Sequence, residues 1–346
     1  MKLLSTDRKT RRWLILIVLI TLAFVVSIFW QRFQTSQTLN QLSPEQVEVD
    51  RVKEPIQPIP FQIAMDRNKV LLGEKLFQDV RLSSDKQISC SSCHNLSTGG
   101  ADRRTYSIGV GGALGEVNTP TVLNVRFNFR LNWNGKHETL PDHLDALLVN
   151  PKVMDMQWDV LIPDLQMVPD YVQEFTRIYS DGITQTNIKD AIATYQKSLY
   201  TPNARFDQFL RGNKQALTAS EREGYRMFKA YGCISCHQGV NVGGNMFARF
   251  GELGDYFADR GNITQADLGL FNVTHDRLDR FTFRVPSLRN VALTPPYFHD
   301  GTAKSLEEAI AIMAKYQLGR PLSQAQTSAI AQFLNTLTGE YQGQAL

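Results

Sequence analysis

The sequence is poor in cysteine and in net charge, and each shortage excludes something. Four cysteines in 346 residues are too sparse for a disulfide framework of the kind that holds small secreted domains together. Residues 1–12 carry Lys2, Arg8, Lys9, Arg11 and Arg12 against Asp7, and everything after them has 32 basic and 33 acidic side chains. A body that is nearly neutral has no basic stripe for a phosphate backbone, so no nucleic-acid partner is expected. Charged residues make up 21% and aromatic residues 10% of the chain, which is globular composition and excludes disorder for most of it. The length leaves room for one large or two medium domains with a real core.

A long apolar run is present near the start. Trp13–Trp30 holds eighteen residues without a charge, interrupted only by Thr21 and Ser27. As a helix it would span roughly 27 Å, close to the thickness of a bilayer core. The basic cluster before it places the N-terminus in the cytoplasm. A cleaved signal peptide is the rival reading, but Phe29-Trp30-Gln31-Arg32-Phe33 offers no small-residue cleavage site. Both readings put residues 31–346 outside the cytoplasm. The expected order is a cytoplasmic tail (1–12), a transmembrane anchor (13–30) and a linker (31–60) spaced by Pro44, Pro55, Pro58 and Pro60.

The four cysteines fall into two identical patterns, Cys90-Ser91-Ser92-Cys93-His94 and Cys233-Ile234-Ser235-Cys236-His237. C-x-x-C-H is the attachment pattern of c-type haem, in which two thiols add to the porphyrin vinyl groups and the adjacent histidine binds iron. A zinc ribbon wants its cysteine pairs roughly 15–20 residues apart. A thioredoxin-type pair does not call for a histidine after each motif. Two such motifs that use every cysteine point to two covalently bound haem c groups.

The sequence around the motifs is repeated. Leu72-Gly73-Glu74-Lys75-Leu76-Phe77 precedes the first motif and Gly224-Tyr225-Arg226-Met227-Phe228 the second; Gly99-Gly100 and Gly243-Gly244 follow them. Pro120-Thr121-Val122-Leu123-Asn124-Val125 then matches Pro286-Ser287-Leu288-Arg289-Asn290-Val291, and Gly135 matches Gly301. One haem module is used twice, giving expected domains at 61–215 and 216–346. The secondary structure reads as mainly α. Ile188, Ala191, Ile192, Tyr195 and Leu199 keep the helical period, and Thr218-x-x-Glu221, Ser305-x-x-Glu308 and Ser323-x-x-Gln326 read as capping boxes. Thr121–Val125 and Phe281–Val285 read as short strands.

The repeat also separates the two haems. Met313 lies on a helix face with Leu306 and Ile310, where it is either a core methionine or a sixth ligand to the second iron. The same offset from Gly135 lands on Leu147, which cannot ligate. If Met313 binds iron, the first haem lacks the equivalent ligand and has a position for a small oxidant.

The stretches LGEKLFQDVRLSSDKQISCSSCH, NTPTVLNV, LYTPNARFDQFLRG, GCISCHQGVNVGG, FRVPSLRNVALTPPYFHDG and FLNTLTGEY resemble the bacterial dihaem cytochrome c peroxidase family, which includes the MauG-type enzymes. The likeness covers roughly residues 66–342. It implies a periplasmic protein of two cytochrome c-like domains in tandem, with a peroxidatic N-terminal haem and an electron-accepting C-terminal haem; the apolar run 13–30 would then anchor it in the inner membrane. It implies His94 and His237 as proximal ligands, Met313 as distal ligand of the second haem, and Trp133 as an electron conduit between the haems. It also implies a calcium ion held by Asn118 and the carbonyls of Thr294 and Pro296, a small c-type cytochrome or cupredoxin as electron donor (with quinol as a variant), hydrogen peroxide as oxidant, and a homodimer.

Two departures from the family pattern bear on the chemistry. The histidine that caps the peroxidatic haem in many members is replaced by Val110, and the peroxide-cleaving glutamate falls on Val153. Asp155 lies two positions on and is a candidate substitute. His143 stands where a distal glutamine is expected, and reads as a general base, as an iron ligand that closes the site, or as a hydrogen-bonded structural residue. His137 and His275 read as surface or structural residues, and His299 matches a histidine near the second haem. The competing functions are a MauG-like oxidase of a partner protein, in which a tyrosine stands where this chain has Met313, and a non-catalytic electron-transfer or sensor cytochrome.

Overall fold

The apolar spacing of the repeats becomes two pairs of crossed helices, one per haem motif. The structure, a computed structural model, describes Ser27 and residues 54–346. Among the described residues no helix is long and apolar enough to cross a membrane; the expected tail, anchor and first part of the linker lie outside them, Ser27 apart. The helices that matter here are α1 (Arg67–Gln78), α2 (Leu140–Leu148), α3 (Trp158–Gln166), α4 (Pro169–Ile178), α5 (Gln185–Ser198), α6 (Arg205–Leu210), α7 (Ala219–Ala230), α8 (Leu306–Tyr316) and α9 (Gln324–Asn335). Strands are few and short: β1 (Phe247–Arg249) pairs antiparallel with β2 (Thr282–Arg284), Phe247 opposite Arg284, and β3 (Glu340–Tyr341) pairs with β4 (Gln344–Ala345).

In the first half α1 crosses α5, and in the second α7 crosses α9, each pair meeting at a glycine. A Cβ on Gly73 would sit 2.0 Å from the carbonyl oxygen of Ala191, and one on Gly224 would sit 1.9 Å from that of Ala329. The two helix backbones touch there, so no side chain fits. Aromatic rings match across the repeat as well. Phe77 lies 6.4 Å from His94 and 5.2 Å from Tyr195, while Phe228 lies 6.4 Å from His237 and 5.2 Å from Phe333. Gly224→Ala should therefore force α7 and α9 apart and cost about 1–3 kcal/mol or more. Denaturant titration checks this; an unchanged midpoint would contradict the close approach.

The capping pattern is largely realised. Thr218 with Glu221 and Ser323 with Gln326 form reciprocal boxes at the starts of α7 and α9. Ser305 caps α8 from one side only, because the Glu308 carboxylate accepts from Lys304 N–H (2.7 Å) instead of returning to Ser305.

Three expectations need correction. Thr121–Val125 is not a strand: Thr121 Oγ1 accepts the Leu123 N–H (3.0 Å) and Asn124 adopts φ +62°, so the chain turns before a ladder can form. The linker ends earlier than residue 60, since Ile56 and Ile59 are fully buried and Gly239 exchanges backbone hydrogen bonds with Pro55 and Gln57. The boundary at 215 falls too late. Phe206 and Phe209 belong to the second core, where Phe206 meets Tyr225 at 4.7 Å and Phe333 at 5.0 Å. Full burial of such a ring contributes about 1.5–3 kcal/mol, which outweighs the turn signals after it. Conversely, Tyr341 and Leu346 from the chain end pack on the first core. Residues 55–346 are thus one compact unit. At its centre Asn124 and Asn290, equivalent positions of the repeat, both donate to Thr201 Oγ1 (2.8 and 3.0 Å).

Candidate active site

Each C-x-x-C-H motif opens onto its own cavity. Cys90, Cys93 and His94 line the first, of about 600 Å³. Cys233, Cys236 and His237 line the second, of about 250 Å³. The four thiols are free, and burial pushes Cys90 up to about 12 and Cys93 and Cys233 to about 11. Such protonated thiols are not the activated thiolates of a redox pair.

The proximal histidines are held in the same way twice. His94 Nδ1 lies 3.2 Å from the Gly100 carbonyl, which also accepts from Val122 N–H (3.1 Å). His237 Nδ1 lies 3.3 Å from the Val242 carbonyl, which also accepts from Leu288 N–H (3.1 Å). Val122 and Leu288 are matching residues of the repeat. A carbonyl at Nδ1 sets the tautomer and leaves Nε2 as the ligating atom. Burial lowers both imidazoles, His237 to about 4, so they are neutral and able to donate a lone pair. Paired thiols, a tethered neutral imidazole and an apolar cavity at each motif fit a covalently attached haem.

The first cavity is roofed by α2, from which Leu140, His143, Leu144 and Leu147 line it. Thr139 caps this helix at Asp142 N–H and so fixes which face turns inward. His143 is half-buried, and its Nδ1 is sealed from solvent without a hydrogen-bond partner. Burial, then His137 and His94, push its pKa down to about 3. The His137 ring lies 5.4 Å from it, partly exposed. Val153 lines the same cavity, and its carbonyl accepts from Val110 N–H (3.1 Å), so the two positions that depart from the family pattern are joined through their backbones.

Asp155 does not substitute for the missing carboxylate. It is exposed, turned outward by a backbone φ of +49°, near Ser84 Oγ (3.4 Å), and is not among the residues lining the cavity. Met154 and Met156 on either side of it fill the core, which leaves the aspartate no inward path. His275 is exposed at the cavity rim.

Met313, on α8, lines the second cavity with Leu306 and Ile310. Asn118, Thr294 and Pro296 line it too. Asn118 spends its Nδ2 on the Arg104 carbonyl (2.7 Å). Trp133 belongs to the walls of both cavities, with its Nε1 donating to the Asn118 carbonyl (2.8 Å).

Sequence alone gave His299 no role, and it did not single out Asp267, Asp300, Gln196 or Arg284. His299 is buried, stacked on Phe283 at 4.5 Å, and its Nε2 meets Asp267 Oδ1 at 2.7 Å. Asp267 and Asp300 both accept from Arg260. His299, Asp267 and Asp300 cluster like metal ligands, but the guanidinium already supplies the positive charge there. Gln196 presents a buried, unpartnered Oε1 in the wall of the first cavity. Arg284 lines both cavities; its one sequence signal is a charge inside the apolar run Phe281–Val285.

Known proteins share this arrangement. Residues 67–215 match the family described as di-haem cytochrome c peroxidase. The chain is 40% identical over 288 residues to cytochrome c551 peroxidase of Nitrosomonas europaea, covering 83% of this chain and 85% of that one. The chain belongs to the di-haem cytochrome c peroxidase family. Cytochrome c peroxidase Ccp of Escherichia coli (strain K12) is 44% identical over 289 residues, and this chain spans 62% of that relative's length. Among solved structures, a MauG-like protein associated with microbial copper homeostasis superposes with a TM-score of 0.71 at 30% identity, covering 84% of this chain and 95% of that one. The peroxidase family thus accounts for both the mainly helical fold and the paired haem motifs.

Proposed function

We propose that the protein is a dihaem peroxidase that reduces hydrogen peroxide at the His94 side, with electrons entering at the His237–Met313 side. The observation that carries this reading is a half-buried, neutral His143, its Nδ1 sealed from solvent without a partner, lining the same cavity as Cys90, Cys93 and His94. When bound, the haem irons supply electron transfer and the coordination of peroxide. The chain's own part is to move a proton and to exclude water. His143 takes the proton from the inner peroxide oxygen and returns it to the outer one, so that water can leave. A base whose imidazolium is penalised by burial passes the proton on rather than keeping it. Leu144, Leu147 and Val153 keep the rest of that wall apolar.

Trp133, as the shared wall of both cavities, supports its role as the electron conduit. Met313 in the second cavity supports a His/Met site of raised potential suited to electron entry. It favours peroxide reduction over a MauG-like oxidation of a partner protein. In the same reading the donor is a small c-type cytochrome or cupredoxin, with quinol as the variant an anchored enzyme allows. In the same reading a calcium ion would be held by the Asn118 side-chain oxygen and the Thr294 and Pro296 carbonyls, since oxygen-only ligands suit a hard cation. The apolar run 13–30 with its basic flank supports an inner-membrane anchor with residues 31–346 in the periplasm, and homodimerisation follows the family.

The test is to titrate hydrogen peroxide into the half-reduced, haem-loaded protein and follow the visible spectrum. The expected result is a high-spin first haem that reacts while the second becomes oxidised. Two low-spin haems that peroxide leaves unchanged would instead identify a closed first site and an electron-transfer cytochrome.

A further inference from the structure

Two arginines are buried in the second half of the chain, and only one has a counter-ion. Arg289 is 1% exposed and pairs with Asp207 at 2.7 Å. Arg284, at the end of β2, is 3% exposed and has no carboxylate within ion-pair distance among the described residues. Its side chain donates only to neutral acceptors, and weakly: Asn132 O at 3.2 Å, Asn128 Oδ1 at 3.3 Å and Val285 O at 3.4 Å. Burial pulls its pKa down to about 10, with no opposing charge to restore it. A buried, uncompensated cation is costly and is normally paired.

The position of Arg284 indicates where the missing charge comes from. Arg284 lies in the wall that separates the two cavities and borders both. Its N–H donates to the carbonyl of Trp133 (2.9 Å), which shares that wall. The other basic side chains lining the cavities, Lys136 and Lys152 in the first and Arg249 in the second, are exposed and have water to solvate them. Haem carries two propionate carboxylates, and these are the anions that both cavities would bring to this wall.

We propose that Arg284 is the shared counter-ion of the two haem groups, its guanidinium donating to a propionate carboxylate from each cavity. The planar fork of five donors allows two carboxylates to be bound at once. A cation held there favours the electron-rich state of both irons, so Arg284 raises both reduction potentials together. This proposal rests on the dihaem reading, which haem counting tests separately.

The experiment compares holoprotein carrying Arg284→Gln or Arg284→Lys with the parent, with haem per chain counted first. Spectroelectrochemical titration should show both haems of Arg284→Gln harder to reduce by tenfold or more, which is 59 mV for a one-electron couple. Arg284→Lys should recover part of each shift. Two attached haems with unmoved potentials overturn the role of Arg284, and a shift in one haem alone overturns the sharing. Fewer than two haems in the parent protein overturns the dihaem reading and this proposal with it. Should Arg284→Gln fail to fold, a crystal structure of the parent holoprotein decides. Guanidinium nitrogens within about 4 Å of a propionate oxygen from each haem support the proposal, and absence of either contact overturns it.

Discussion

Replacing His143 with alanine lowers peroxide turnover by about 10²–10⁴-fold, the usual cost of losing a general acid–base, and leaves both haems attached. Attachment is unaffected because Cys90, Cys93 and the His94 tether to Gly100 lie on other elements. The loss is large because little else in the first cavity can move a proton. Of its other titratable linings, Glu116 is exposed and paired with Lys152 at 2.7 Å, and Lys136 and His275 are exposed. The pH profile adds a second readout. An ordinary histidine base fails as pH falls through about 6.5. The His143 pKa is depressed to about 3, so its unprotonated form persists well below that point. Turnover per bound enzyme should therefore hold from pH 7 to pH 5 rather than fall. Steady-state peroxide kinetics across that range check both statements. A first haem that is low-spin in the parent and becomes high-spin and more reactive in His143→Ala would make His143 an iron ligand and sink the base role.

The second large effect concerns stability. Asp207→Ala should cost about 3–5 kcal/mol, because it leaves the Arg289 guanidinium buried without its charge partner. Both side chains are fully shielded from solvent and meet at 2.7 Å. Arg289 also holds the Val240 carbonyl at 2.9 Å and the Gln57 carbonyl at 2.9 Å. It thereby ties the segment before α1 to the loop that carries the His237 acceptor. Burial keeps the Asp207 carboxyl above its usual range despite Arg289, so the intact pair is no great gain over two solvated ions. The expected cost comes from orphaning one partner. Urea titration monitored at the second haem measures it, and a loss below about 1 kcal/mol would mean that water reaches Arg289 when Asp207 is removed.

The residues that were legible in the sequence are those whose role depends on short spacing. The two C-x-x-C-H motifs need only five consecutive residues each. Thr218 with Glu221 and Ser323 with Gln326 form their boxes across three positions. Gly73 and Gly224 could be paired as repeat equivalents, although the reason for the glycine, a carbonyl within 2.0 Å of any Cβ, belongs to the helix crossing. The choice between Asp155 and His143 was not legible. Two residues of sequence offset do not reveal that Met154 and Met156 turn inward and Asp155 outward. The boundary errors at 60 and 215 have the same origin, since prolines and polar residues signal a turn whether or not Ile56, Ile59 and Phe206 are later buried by distant helices.

The sequence by itself determined that this is a two-module haem c protein of the peroxidase family, that it is mainly helical, and that the second module offers Met313 where the first has Leu147. Those properties are carried by covalent spacing and by periodicity within single helices. Only the tertiary structure decided that His143 has an unpartnered nitrogen and lines the cavity that His94 lines, that Asp155 faces away, and that Trp133 and Arg284 share a wall between two cavities. Trp133 and Arg284 meet through a backbone hydrogen bond across the two halves of the chain. The charge balance of Arg284 likewise depends on what is packed around it, and local spacing carries no record of that.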